Sequence, residues 1–118
     1  MILENLVERL KKNLMKKKLN NILISIFKKH GMSLFHAKIC SAALINAELV
    51  GAHSHGLSRL KMYCDRIKKK LINPKPKIKI KNISQSVAHI DANNSIGFVA
   101  ADIGIKKAIN NAKRTGME

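Results

Sequence analysis

The chain has 118 residues, Lys+Arg 23 against Asp+Glu 7 for a formal charge of +16, 46% hydrophobic residues and only 3% aromatic ones. That length allows one modest domain, and the apolar fraction excludes wholesale disorder. No apolar run is long enough for a membrane span, and the short run at residues 22–27 stops at Lys28 and Lys29 without a small-residue cleavage site, so neither a spanning helix nor a secretory signal is expected.

Leu3, Leu6, Val7, Leu10 and Leu14 recur at helical spacing, and Leu19, Ile22, Leu23, Ile26 and Phe27 form a second stripe that Gly31 would stop. Both predict helices docked on the rest of the chain. An anionic membrane is a weaker partner for the first helix, because its stripe lacks Trp and Phe. Ser33 can cap a third helix running to about residue 50 and ended by Gly51. The loop Ala52-His53-Ser54-His55-Gly56 leads into a fourth, with Leu57, Leu60, Cys64, Ile67 and Leu71 on one side. Asn73-Pro74 and Lys75-Pro76 forbid its continuation. The period then changes from 3.6 to 2. Lys77-Ile78-Lys79-Ile80-Lys81 alternates as a strand with one buried face, residues 86–90 supply a partner strand, and Asp91-Ala92-Asn93-Asn94 reads as a turn. A last helix follows, with Ala101, Ile105, Ala108, Ile109 and Ala112 as its core stripe. Asp102 lies early, Lys113 and Arg114 late, and Gly116 suits the C-cap. The expected fold class is α+β: a helical subdomain of about four helices, a short β-hairpin and one further helix.

The excess of base invites a nucleic-acid reading, yet only Arg9, Arg59, Arg66 and Arg114 among the 23 cations are arginines. Bidentate base contacts favour Arg, and stacking needs aromatics; a solvated lysine surface is the stronger expectation, with no specific nucleic-acid or membrane partner. Cys40 and Cys64 lack metal spacing and are expected as reduced thiols of a cytoplasmic protein. No HExxH, CxxC or carboxylate pair is present, and Gly97 with Gly104 does not fit a dinucleotide loop, so no metal site is expected. His30, His36 and His89 read as surface or satisfied histidines. Acid–base and anion-binding groups converge in one place, His53-Ser54-His55-Gly56 with Arg59. A loop histidine can exchange a proton near neutrality, and a guanidinium fork matches a carboxylate. Taken by itself, the same stretch also reads as a polar cap loop.

SHGLSRLKMY, then KLINPKPKIKI, then DANNSIGFVAADIGIKKAINNAKRTGME resemble the N-terminal part of the type-2 malate/L-lactate dehydrogenase family, which includes ureidoglycolate dehydrogenase and 2,3-diketo-L-gulonate reductase. The family carries a Ser-His-Gly loop, an Arg four residues after the His, and a Tyr or Phe four beyond that. Ser54, His55, Gly56, Arg59 and Tyr63 reproduce this, as do Ile72-Asn73-Pro74 and the Asp91-to-Gly97 stretch. The family often has Asp where His53 stands, and Pro-Arg is common in place of Lys61-Met62. The resemblance divides the chain into a divergent basic helix at residues 1–18, a helical subdomain with the Ser-His-Gly loop at 19–72, and the hairpin with its helix at 73–118. It implies a truncated, non-Rossmann dehydrogenase fold, a homodimer in full-length members, and interconversion of small 2-hydroxy and 2-oxo acids with NAD or NADP. His55 would exchange the proton on oxygen, Ser54 would hydrogen-bond the reacting group, and Arg59 would hold the substrate carboxylate. Tyr63 would pack. No cofactor-binding residue is expected here, because the nicotinamide is held mainly by the region beyond this chain, and these residues alone are expected to be inactive. The reading that competes with this is an independent basic helical module binding nucleic acid or an acidic partner.

Overall fold

The computed structural model describes residues 1–116. Met117 and Glu118, the end of the expected 73–118 segment, lie outside the described residues. The chain forms two compact units, Met1–Leu60 and Lys61–Glu118.

In the first unit, helix α1 (Ile2–Lys29) packs along helix α2 (Leu34–Leu49). The two helices expected before Gly31 are therefore one, and three α-helices rather than four precede the hairpin. The reason is local: residues 2–29 contain no Gly or Pro, and Lys16, Lys17 and Lys18 are strong helix formers bridging the two stripes. Gly31, with φ at +100°, stops α1 as expected, and Lys28 and Lys29 sit favourably against its C-terminal dipole. Ser33 accepts a hydrogen bond from the His36 N–H at 3.2 Å and caps α2, which ends before Gly51 at φ +82°. Leu23, Phe27, Met32, Ala37, Cys40, Leu44 and Ile45 are buried. Buried Ser41 donates to Asn20 Oδ1 at 2.6 Å, tying α2 to α1.

Docking of the first leucine stripe is corrected by the structure, since every residue from 1 to 18 is exposed. At 1.5 Å per residue α1 is about 42 Å long and α2 about 24 Å, so the N-terminal half of α1 has no helix opposite it.

The second unit begins as helix α3 (Leu60–Lys68) starts, and buries Cys64 and Ile67 as expected. Leu71 does not continue that face. The helix ends at Lys68, Lys70 takes φ +61°, and the Leu71 N–H folds back onto Arg66 O, leaving Leu71 exposed and Ile72 buried. Strands β1 (Lys79–Asn82) and β2 (Ala88–Asp91) pair antiparallel with Ile80 opposite Ile90. The expected buried face of the first strand is absent, and Ile80 is 47% exposed. In this two-stranded sheet the last helix, α4 (Gly97–Thr115), packs against β2.

The face that α4 buries also differs from expectation. Ile105 and Ile109 are 61% and 48% exposed and Ala101 and Ala108 are exposed, whereas Val99 and Asn111 are buried and Ala112 half-buried. Gly104 lies on the side of α4 that faces β2, where a Cβ would stand 3.7 Å from Ile90 Cδ1, an ordinary contact distance. Gly116, φ +70°, donates to Ala112 O and ends the helix as expected.

Candidate functional site: the Ser54-His55-Gly56 loop

Between α2 and α3 the chain makes two short 3-10 turns, His53–His55 and Leu57–Arg59, joined at Gly56. Tight successive turns hold Ser54, His55 and Arg59 within one short stretch of the first unit. The His55 N–H donates to Ala52 O at 2.9 Å and the Gly56 N–H to His53 O at 3.3 Å, closing the first turn. The Arg59 N–H donates to Gly56 O at 3.0 Å, closing the second.

Ser54 and His55 are exposed. Arg59 lies in the second 3-10 turn, immediately before α3, and its side chain folds back: Nε donates to Ser54 O at 2.6 Å. Ser58 Oγ donates to His53 O at 2.7 Å, so the carbonyls of both residues preceding His55 are held by side chains from the following turn. Tyr63 lies in the second unit and meets Phe98 edge-on, with ring centroids 5.5 Å apart. That contact gives Tyr63 a packing partner on α4.

One participant escaped the sequence reading. Glu48, in the last turn of α2, accepts from the Leu57 N–H through Oε1 at 2.8 Å and from His53 Nδ1 through Oε2 at 2.6 Å. The hydrogen bond from His53, followed by that from the Leu57 amide, holds the Glu48 carboxyl below its ordinary value. Its signal was present in the sequence. A carboxylate in the last turn of a helix opposes the dipole, and with only seven acids in the chain such a placement calls for a partner.

Cys40 and Cys64 are free, buried thiols. Burial pushes Cys40 up to about 12 and raises Cys64 as well. Among the described residues, no group of three or more His, Cys, Asp or Glu side chains could hold a metal ion, and no helix is long and apolar enough to cross a membrane.

A helical pair, the Ser-His-Gly loop, α3, the hairpin and α4 follow one another along the described residues. The chain belongs to the malate/L-lactate dehydrogenase family, whose model matches residues 14–118. The malate/(S)-sulfolactate dehydrogenase of Methanothermus fervidus is 38% identical over 97 residues, 82% of this chain and 29% of that protein. The NAD(+) ureidoglycolate dehydrogenase of Escherichia coli is 33% identical over 87 residues, 74% of this chain and 25% of that protein. Among solved structures, the malate dehydrogenase of Pyrococcus horikoshii superposes with a TM-score of 0.82 at 37% identity, covering 86% of this chain and 29% of its own. The chain thus spans somewhat over a quarter of the length of these relatives.

Proposed function

We propose that this chain carries the acid-binding and proton-exchanging part of an NAD(P)-dependent oxidoreductase that interconverts a small 2-hydroxy acid and its 2-oxo acid. The observation that carries the reading is the 2.6 Å bond from Arg59 Nε to Ser54 O. It sets a guanidinium against the loop that bears a hydroxyl and an imidazole. The bond uses Nε alone, and the two terminal nitrogens, which make no hydrogen bond among the described residues, are the pair that would grip a carboxylate bidentately. His55 would pass the proton to the developing alkoxide in reduction and remove it in oxidation, and Ser54 would hydrogen-bond the same oxygen.

Nicotinamide belongs to the proposal through the family. Among the relatives, the ureidoglycolate dehydrogenase is named for NAD(+) and a sulfolactate dehydrogenase of Chromohalobacter salexigens for NADP(+). The residues here do not fit the dinucleotide. Gly97 and Gly104 lack the spacing of a dinucleotide loop, and a Cβ added at Gly97 meets nothing within 4 Å while one at Gly104 meets only Ile90, so no close backbone approach requires either glycine. In this reading the cofactor is held mainly by the part of the relatives that this chain does not span. On the same reading residues 1–18 are a divergent basic helix, residues 19–72 carry the loop, and residues 73–118 open the main domain. The whole enzyme would be a homodimer in a reducing, cytoplasmic compartment, where buried thiols such as Cys40 and Cys64 persist.

The test uses the 118 residues alone and a joined enzyme, in which this chain precedes the remaining region of a family member. The chain alone should show no turnover with either nicotinamide. In the joined enzyme His55→Ala should lower kcat and kcat/KM together by about 10²–10⁴-fold, the worth of general acid–base catalysis. An unchanged kcat would remove His55 from the reaction.

A further inference from the structure

We propose that Glu48 is the positioning residue of the Ser54-His55 loop, its two carboxylate oxygens holding both ends of that loop while Gly56 keeps open the space the carboxylate occupies. The role of the loop rests on the function proposed above; the clamp itself rests on geometry.

His53 and Leu57 flank Ser54, His55 and Gly56. Glu48 takes His53 Nδ1 on one oxygen at 2.6 Å and the Leu57 N–H on the other at 2.8 Å, so one carboxylate spans the segment that carries the chemistry. The Glu48 side chain is 24% exposed, whereas His53 is 73% exposed. The acid is the more buried partner of the pair. Gly56 is buried, and a Cβ built on it would overlap Glu48 Oε1 and stand 2.8 and 2.9 Å from Glu48 Cγ and Cδ. Any side chain at position 56 and the carboxylate in its clamping position exclude one another. That gives the glycine of the Ser-His-Gly motif a steric reason in this chain.

The consequence falls on His55. Its ring makes no hydrogen bond among the described residues, and its backbone N–H is tied to Ala52 O. The imidazole is therefore placed by its backbone, which Glu48 ties on one side through the Leu57 N–H and on the other through the His53 ring. A reacting group must be held to within a fraction of an ångström, and a displacement of about 1 Å can cost about 10²-fold in rate.

The experiment has two arms. In the ¹⁵N-labelled 118-residue chain, Glu48→Ala should accelerate hydrogen exchange of the Leu57 amide by about tenfold or more, the loss of a charged hydrogen bond. Glu48→Gln, which keeps an acceptor oxygen, should retain most of the protection. Gly56→Ala should reproduce Glu48→Ala, and the double variant should be no worse than either single one, because each removes the same contact. The Phe27 and Leu44 amides, inside the α1–α2 pair, should be unchanged and report on folding. In the joined enzyme Glu48→Ala should lower kcat by about 10²-fold with little change in KM, and Glu48→Gln should restore most of it. An unaltered Leu57 amide in Glu48→Ala overturns the clamp. A released Leu57 amide with unaltered kcat overturns its positioning role. His55→Ala, run beside these, separates the two claims: if it too leaves kcat unaltered, the proposed reaction fails and the amide arm alone decides the clamp.

Discussion

Replacing Arg59 with lysine tests the proposed division of labour in the site most directly. Arg59 has two tasks in this reading: Nε holds Ser54 O at 2.6 Å, and the terminal nitrogens grip the substrate carboxylate. Lysine keeps the charge but offers one nitrogen, which cannot bond the loop carbonyl and fork a carboxylate together. Losing one of two charged hydrogen bonds to the substrate should cost about 1.5–3 kcal/mol, which is about 10–100-fold in affinity. The Ser54 tie is a smaller loss of about 0.5–1.5 kcal/mol, and it is spread over a loop that Glu48 and Ser58 also hold. Steady-state kinetics of the joined enzyme with a 2-oxo acid should therefore show KM raised about 10–100-fold and kcat changed only a few-fold. With a 2-oxo substrate whose carboxylate is replaced by an amide, most of the difference between the parent enzyme and the Arg59→Lys variant should disappear. Equal KM values in the two, or a fall in kcat at constant KM, would refute the carboxylate role and leave Arg59 as a structural tie.

Two further outcomes are expected. Glu48 has its carboxyl lowered in the folded chain, so its contribution to the loop is complete above the ordinary carboxylate pKa and is lost as pH falls through the lowered one; the Leu57 amide resonance should follow that acid transition, and a shift independent of pH would contradict it. The raised pKa values and burial of Cys40 and Cys64 should keep both thiols slow toward iodoacetamide at about pH 8 until denaturant is added, checked by mass spectrometry, and rapid labelling in the native chain would show that their surroundings open.

The parts of the fold that were legible in the sequence are those decided within a few residues. Gly31, Gly51 and Gly116 take positive φ and stop their helices, and the Ser33 hydroxyl caps α2; each effect depends only on neighbouring backbone. The parts that were misread depend on what lies opposite. Leu3 to Leu14 have the right spacing for a docked stripe, but the helix they belong to outruns its partner. The alternation at Lys77 to Lys81 gives a strand and says nothing of whether a layer covers Ile80. On α4 the helical period was correct and the chosen face was not, because the face turned toward β2 is set by the strand opposite it and not by the helix's own spacing. Apolar periodicity measures what a helix can bury, and the neighbour that packs on it decides what it does bury.

The site divides in the same way. Ser54, His55 and Arg59 stand in a nearly contiguous motif, and the 3-10 turns bring them together with little help from distant chain. Glu48 was passed over because its bonds run from a helix end across a loop to His53 and Leu57, a relation no period or motif encodes. Yet its placement was informative on electrostatic grounds. In a chain of 23 cations the last turn of α2 carries no basic residue and one acid, the reverse of what the helix dipole favours. An unfavourable charge in a local frame points to a favourable partner outside it, and here that partner is the pair of groups bracketing His55. The same reasoning separates the two neighbouring histidines: His53 has its ring bonded to Glu48, whereas the His55 ring makes no such bond among the described residues, and in the proposed reaction it is His55 that would meet the substrate.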